Sequence, residues 1–170
     1  MIITKSVVLQ DDYRYYLARK WNDSLPMMAF ILLNPATRYG EQKLDMDDST
    51  IQLCYDLAEK WGKGGFVVLN LYAAVAGTID QLKTISNPIG ADNDDWIRKL
   101  GQMTEVDLVV AAWGDEASAN RVNAVKKILQ KELGIQLYCV RKNPSGNPMH
   151  LQRMHYAGIS LADVGEPIPW

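Results

Sequence analysis

Residues 27–37 read Met-Met-Ala-Phe-Ile-Leu-Leu-Asn-Pro-Ala-Thr, and this stretch decides the fold prediction. Its apolar run, 27–33, is too short to cross a membrane but has the length of a strand buried on both faces, as in a parallel sheet. The run ends at Asn34-Pro35, because proline lacks the N–H that a central strand needs. Ligands of open α/β sheets bind just beyond the carboxyl ends of strands. Asn34 is therefore either a ligand-binding residue or part of a simple turn.

The rest of the chain alternates between short apolar segments and helical patterns. Three more apolar segments predict buried strands, at residues 66–71, 106–112 and 135–140. Apolar residues at helical spacing predict intervening helices that begin near Asp48, Asp92 and Asp115. Such alternation indicates a parallel sheet with helices on both faces and right-handed crossovers.

The first twenty-one residues follow a different pattern: residues 2–9 are rich in β-branched side chains, Asp11-Asp12 follows as a turn, and Tyr13, Tyr15 and Leu17 then alternate with Arg14, Tyr16 and Ala18. This period of two predicts an antiparallel hairpin at a sheet edge. The sequence therefore predicts a single α/β domain over residues 1–170. We expect a three-layer α/β/α sandwich with a central, mostly parallel sheet and an N-terminal antiparallel hairpin.

Composition limits the classes of function. A net charge of −2 and a pI near 5.7 argue against strong, sequence-blind attraction to nucleic acid, although a local basic patch is compatible with them. The sequence has no long apolar segment and no leader-like N-terminus, which predicts a cytoplasmic protein with no membrane partner. The oligomeric state is left open.

The cysteines and histidines are too few and too scattered for common metal sites. Cys54 and Cys139 belong to no Cys-x-x-Cys pair, and their positions in a helix and a strand predict packed free thiols. The chain has two histidines, which excludes a histidine-rich metal site. We therefore predict neither a metal nor a cofactor.

Polar residues stand at the ends of consecutive predicted strands. Because the carboxyl ends of parallel strands share one edge of the sheet, we expect these residues to line a single pocket. A buried asparagine without partners costs about 1–3 kcal/mol, so the second asparagine of the set binds either loop backbone or a ligand. The set comprises Asn34 with Pro35, Asn70 with Tyr72, Trp113 with Gly114, and His150.

Acidic residues gather before the first predicted helix. Asp48 or Ser49 suits the N-cap, since carboxylates are favoured near the positive end of a helix. The alternative is a binding role for Asp48 in the pocket. A divalent-cation site is not supported by any recognisable spacing.

The ordered motifs of the chain resemble domain-of-unknown-function family 1643, a family of uncharacterised bacterial and phage proteins. The resemblance covers roughly residues 13–151 and carries no established activity. It rests on Leu-Asn-Pro-Ala-Thr (33–37), Asp-Asp-Ser-Thr-Ile (47–51), Val-Val-Leu-Asn-Leu-Tyr-Ala (67–73), Ala-Ala-Trp-Gly (111–114) and Gly-Asn-Pro-Met-His-Leu (146–151).

The order of the motifs is also similar to that of the uracil-DNA glycosylase superfamily, which has a three-layer α/β/α fold. In that superfamily a strand ends in Asp-Pro or Asn-Pro, a later strand ends in Leu-Leu-Asn, a third ends in Leu-Trp-Gly, and a loop carries His-Pro-Ser. The resemblance implies that Asn34 holds an attacking water, Asn70 reads a base and His150 stabilises the departing base. The alternative for His150 is a loop histidine that is hydrogen-bonded to nearby backbone. Trp113-Gly114 matches the third strand, although we favour simple core or pocket-wall packing for Trp113.

The glycosylase resemblance implies a nucleobase- or nucleotide-directed protein, with DNA or a nucleotide as its partner and hydrolysis of an N-glycosidic bond as its reaction. Arg141, Lys142 and Arg153 then become candidate phosphate-binding residues, with scattered surface charges as the alternative. Leu151-Gln152 follows His150 where the superfamily has Pro-Ser. Two other functions stay open: a non-catalytic nucleotide- or nucleic-acid-binding protein with the same fold, and an interaction protein.

Overall fold

A computed structural model describes residues 2–36 and 47–170. The strands in these residues are β1 Thr4–Gln10, β2 Tyr13–Lys20, β3 Met27–Leu32, β4 Gly65–Asn70, β5 Val106–Ala111, β6 Leu137–Cys139 and β7 Ile168–Pro169. They form one mixed sheet in the spatial order β1-β2-β4-β3-β5-β6-β7. The α/β class is confirmed.

The centre of the sheet is parallel, as the apolar stretch at 27–33 predicts. Strand β3 pairs in parallel with β4 on one side and β5 on the other, and β5 pairs in parallel with β6. Every residue of β3 and β4 is buried. Leu32 lies opposite Asn70, and Ile31 lies opposite Ala111, so these three strands end at one edge.

Helices contribute to the apolar clusters on both faces of the sheet. On one face, Phe30 and Phe66 pack with residues of the first and fifth helices, and on the other, Ile31 and Val67 pack with residues of the third and fourth. The helices are α1 Ser49–Lys60, α2 Ile79–Thr84, α3 Asn93–Arg98, α4 Ala119–Lys126 and α5 Leu151–Tyr156. A 3₁₀ turn at Lys99–Gln102 follows α3, a π-helical segment at Lys127–Glu132 follows α4, and a second 3₁₀ turn is at Leu161–Asp163.

The predicted N-terminal hairpin is confirmed, and it contains an irregularity that the sequence pattern does not reveal. Strands β1 and β2 are antiparallel, and β2 joins the hairpin to β4. Val8 lies opposite Tyr16, whereas Leu9 lies opposite Arg14, so Tyr15 is an extra residue in β2. This β-bulge reverses the alternation of side chains, and it places Arg14 on the same face of the sheet as Leu17.

Some predicted boundaries are wrong. Helix α4 begins at Ala119 with Ser118 as its N-cap, not at Asp115. The carboxylate of Asp115 instead accepts hydrogen bonds from three side chains of a later loop, Asn143, Ser145 and Asn147. Most of the predicted polar loop 36–47 lies outside the described residues.

The prediction for the two cysteines is confirmed. Cys54 and Cys139 are buried free thiols, as predicted. Among the helices of residues 2–36 and 47–170, none is both long and apolar enough to span a bilayer.

Candidate functional site

A cavity of about 230 Å³ opens at the carboxyl edge of the parallel strands. Its wall is built from the residues after β3, the beginning of α1, the loop that leads into α2 and the beginning of α5. This is where open α/β sheets bind ligands. Its polar and charged lining residues include Arg14, Asn34, Asp48, Thr50, Thr78, His150 and Gln152.

Asn34 lines the cavity, and its carboxamide has a fixed orientation. Its Nδ2 donates to the carbonyl oxygens of Pro35 at 2.8 Å and Ala76 at 2.9 Å. The NH2 group of Asn34 therefore stabilises the local turn through the backbone, as the simple-turn alternative predicts. Because both hydrogens of Nδ2 are used, Oδ1 is the atom that can bind a ligand, and it can only accept. Pro35 is buried and supports this arrangement through its carbonyl.

Asp48 also lines the cavity, and it is the N-cap of α1 as predicted. Its Oδ1 accepts from the N–H of Ile51 at 2.9 Å. Among the described residues, Oδ2 receives no hydrogen bond. The carboxylate is thus oriented through one oxygen, and its second oxygen is available to a ligand or a water.

His150 is the N-cap of α5, and this role determines where its proton lies. Its Nδ1 accepts from the N–H of Gln152 at 3.1 Å. Burial lowers the pKa of His150 below its usual value of 6.5, and the nearby charge of Asp48 opposes that shift only in part. The imidazole is therefore neutral at pH 7. Since Nδ1 is an acceptor, the hydrogen must be on Nε2, which can donate to a ligand.

The lowered pKa of His150 predicts acid-sensitive stability. Below about pH 6.5 the unfolded chain binds a proton at this histidine while the folded chain does not, so the free energy of unfolding falls as the pH falls. Asparagine is an equally suitable N-cap that does not titrate, which makes His150→Asn the matched comparison. We expect urea unfolding to show that the wild type loses stability relative to His150→Asn between pH 8 and pH 5.5. A relative gain at pH 5.5 would contradict a neutral His150.

Arg14 is a lining residue that the sequence analysis missed. It is 5% exposed, and burial lowers its pKa to about 10 while Asp48 acts in the opposite direction, so the guanidinium is charged at neutral pH. In the simple alternation of a hairpin strand Arg14 reads as a solvent-facing residue. The bulge at Tyr15 turns it into the cavity, and bulges commonly redirect side chains in this way next to functional sites.

Asn70 does not line the cavity but lies under it. Its side chain is 1% exposed, and neither Nδ2 nor Oδ1 has a hydrogen-bond partner among the described residues. It is on the same face of the sheet as Leu32, its register partner, which does line the cavity. A buried amide of this kind requires a partner beyond the described side chains and backbone, such as a water or a ligand.

The strand end that carries Asn70 is held by two buried polar side chains. Asn93 Nδ2 donates to the carbonyls of Asn70 at 2.9 Å and Leu71 at 3.1 Å, and Arg121 Nε donates to Leu71 at 2.7 Å. Arg121 in turn forms an ion pair of 2.7 Å with Asp94. These contacts fix the backbone beneath the cavity.

Three other predicted site residues are outside the cavity. Tyr72 accepts a hydrogen bond from the N–H of Ser118 at 3.1 Å and lines a neighbouring groove. Trp113 is fully buried and packs edge-to-face on Trp170, with ring centroids 5.1 Å apart. Gly114 touches the site indirectly: it has a φ of +75°, and a Cβ there would lie 3.2 Å from His150 Cβ. A side chain at Gly114 would therefore displace the imidazole.

The three predicted phosphate-binding residues do not gather in the cavity. Arg141, Lys142 and Arg153 are all exposed and are not part of its lining. Arg153 contributes to the lowered pKa of Asp115, whose main cause is the hydrogen bonds from Ser145 and Asn147. A surface basic patch formed by these residues stays a prediction.

Gln152 is a further lining residue that sequence reasoning missed. Its Nε2 donates to the hydroxyls of Ser49 at 2.7 Å and Thr50 at 2.8 Å, which joins the beginnings of α5 and α1. The sequence marks Gln152 only as a residue that differs from the Pro-Ser of the glycosylase motif. Within residues 2–36 and 47–170, no group of three or more His, Cys, Asp or Glu side chains could hold a metal.

The sequence of residues 14–150 matches a family described as a protein of unknown function, DUF1643. The chain belongs to this family. Comparison with curated proteins and with solved structures gave no significant match. The DUF1643 segment begins at Arg14 and ends at His150, so it includes most of the polar side chains of the cavity.

Proposed function

We propose that this protein hydrolyses the N-glycosidic bond of a nucleotide, either free or within DNA. The observation that carries the proposal is the presence of one hydrogen-bond acceptor and one hydrogen-bond donor in the lining of one cavity. Asn34 offers only an acceptor, Oδ1, and neutral His150 offers only a donor, Nε2–H, to a bound molecule. The glycosylase resemblance gives these two residues the same roles.

The reaction places opposite charges on the two fragments. As the glycosidic bond breaks, its electron pair moves to the base and positive charge develops on the sugar. Water then forms the new bond to the sugar carbon. A donor at His150 stabilises the base, and an acceptor at Asn34 orients the water.

The position of Asn70 supports recognition of a base. Its carboxamide carries both a donor and an acceptor, as a base edge requires, and both are unsatisfied among the described residues. A base that enters the cavity deeply, or a water that bridges the base and Asn70, would satisfy the donor and the acceptor of this carboxamide. A base in duplex DNA would first have to leave its stack.

The architecture is compatible with the glycosylase resemblance. Helices pack on both faces of the sheet, as a three-layer α/β/α fold requires, and the motif-bearing strands β3, β4 and β5 are neighbours. The basic residues Arg141, Lys142 and Arg153 are accessible on the surface, where they could contact phosphates of a strand. A cytoplasmic location accords with such a substrate.

A second candidate is a nucleotide-binding protein that performs no reaction. Arg14 favours it, because a buried guanidinium in the cavity wall binds phosphate by charge and geometry alone. The two candidates share the site and differ in whether a bond is broken.

Base release separates the candidates. In one assay the protein is incubated with single- and double-stranded oligonucleotides that contain uracil or other modified bases, and the oligonucleotides are then heated in alkali to reveal strand breaks. In a second assay the protein is incubated with free nucleotides, and the released base is measured. We expect strand breaks or free base, and a loss of about 10²-fold or more in Asn34→Ala and His150→Ala, since each removes a group that acts on the reacting atoms. The matched controls are Asn123→Ala and His155→Ala, at exposed positions outside the cavity.

Each other outcome has a definite meaning. Thermal stabilisation by a nucleotide without base release would favour the binding protein. The absence of both base release and thermal stabilisation would overturn both candidates and favour an interaction protein.

A further inference from the structure

We infer that Asp48 is the general base of the proposed hydrolysis. This inference rests on the proposed function and adds a catalytic residue to it. A carboxamide such as Asn34 can orient a water but cannot take its proton, because a neutral amide oxygen is a very weak base. The nucleophile therefore needs a second group, and Asp48 lines the same cavity.

The hydrogen bonds of Asp48 leave one oxygen for this task. Oδ1 is held by the N–H of Ile51 at 2.9 Å, while Oδ2 has no hydrogen-bond partner among the described residues. Asn34 presents a second acceptor, Oδ1, to the same cavity. A water that donates one hydrogen to each acceptor has its lone pair directed away from both, toward a bound sugar.

A helix terminus and two neighbouring side chains surround Asp48. The side chain is at the N-terminus of α1, a twelve-residue helix whose positive end stabilises an anion. The guanidinium of Arg14 and the imidazole of His150 are near enough for their pKa values to respond to the charge of Asp48.

The reaction balances in atoms and charge. The carbon–nitrogen bond breaks, and its electron pair leaves with the base. The oxygen of water then bonds to the sugar carbon, and one proton of that water moves to Asp48 Oδ2. His150 Nε2–H stabilises the departing base, which carries the electron pair and finally receives that proton. The products are a sugar with a hydroxyl group at the former glycosidic carbon and a neutral base, and Asp48 returns to a carboxylate.

Asp48→Asn tests the assignment without unfolding the helix, because asparagine caps helices as well as aspartate. We expect its single-turnover rate on a saturating oligonucleotide or nucleotide substrate to fall by about 10²-fold or more, with substrate affinity within about threefold of wild type. The control is Asp80→Asn, which removes an exposed carboxylate in the first turn of α2. Its rate should be unchanged.

Formate rescue provides a second readout. Asp48→Gly retains a usable cap and leaves space for a small carboxylate, so added formate should restore part of its rate. Formate should not affect Asn34→Ala. A structural role for Asp48 would give no such rescue.

The failure of this inference is distinguishable from the failure of the proposed function. A wild type that releases no base overturns both. A wild type that releases base, with Asp48→Asn equally fast, overturns only the role of Asp48. Loss of substrate affinity in Asp48→Asn at an unchanged saturated rate also overturns it, since Asp48 would then bind the substrate and take no proton.

Discussion

Replacement of Trp113 by alanine is expected to lower the free energy of unfolding by about 3–5 kcal/mol. The indole is fully buried in the cluster on the side of the sheet that carries α3 and α4, and it packs on Trp170. Its removal leaves a large void in a region with few ways to collapse. Denaturant unfolding of the two proteins measures the difference.

The variant also decides between a packing role and a ligand-binding role for Trp113. Trp96→Ala is the control, since that indole, on α3, is half-buried and lies beside Lys99 of the following 3₁₀ turn. We expect a clearly smaller loss there. A loss below about 1.5 kcal/mol in Trp113→Ala, together with weaker nucleotide binding, would place Trp113 in the site after all.

Asp47→Asn is expected to destabilise the protein by about 2–3 kcal/mol. Asp47 Oδ1 accepts from Nε of Arg19, which is fully buried, at 2.9 Å, and Oδ2 accepts from Lys5 at 3.2 Å. Asparagine keeps the size and one acceptor but removes a negative charge that lies next to a buried cation. The effect is below that of a fully buried pair because the Asp47 side chain is 25% exposed.

The same change at Asp23 is the matched control for Asp47→Asn. Asp23 pairs with Lys20 at 3.0 Å, but its side chain is 91% exposed, and exposed pairs contribute little. Urea unfolding should therefore show little change for Asp23→Asn. Equal effects of the two substitutions would show that burial of Arg19 does not determine the contribution of Asp47.

Much of the sheet could be predicted because its signals are local. The unbroken apolar run of β3 and the proline after it indicate a central strand and its end, and β4 has the same character. The convergence of Asn34 and His150 follows from topology alone, because parallel strands finish at one edge.

The remaining features depend on contacts between distant parts of the chain. Asp115 is a residue type that commonly begins a helix, but its carboxylate accepts hydrogen bonds from a loop about thirty residues later. Trp113 follows a strand end as a pocket residue would, and only the packing of Trp170 shows that its ring points into the core. A sequence pattern contains neither contact.

Arg14 shows how one inserted residue can hide a site residue. The residues of β2 are compatible with side chains that alternate between the two faces of a regular strand, and nothing in their composition marks Tyr15 as an extra residue. The partner strand decides where the bulge forms. Bulges can therefore be recognised from pairing but not from the strand that carries them.

The cavity wall combines Arg14, from the second strand, with His150, at the start of the last α-helix. A growing chain on the ribosome thus lacks the complete cavity wall until His150 has been synthesised. A fragment that ends before α5 would lack the histidine side of this wall, however well its first strands fold. The cavity is consequently completed only after β1 to β6 have been made.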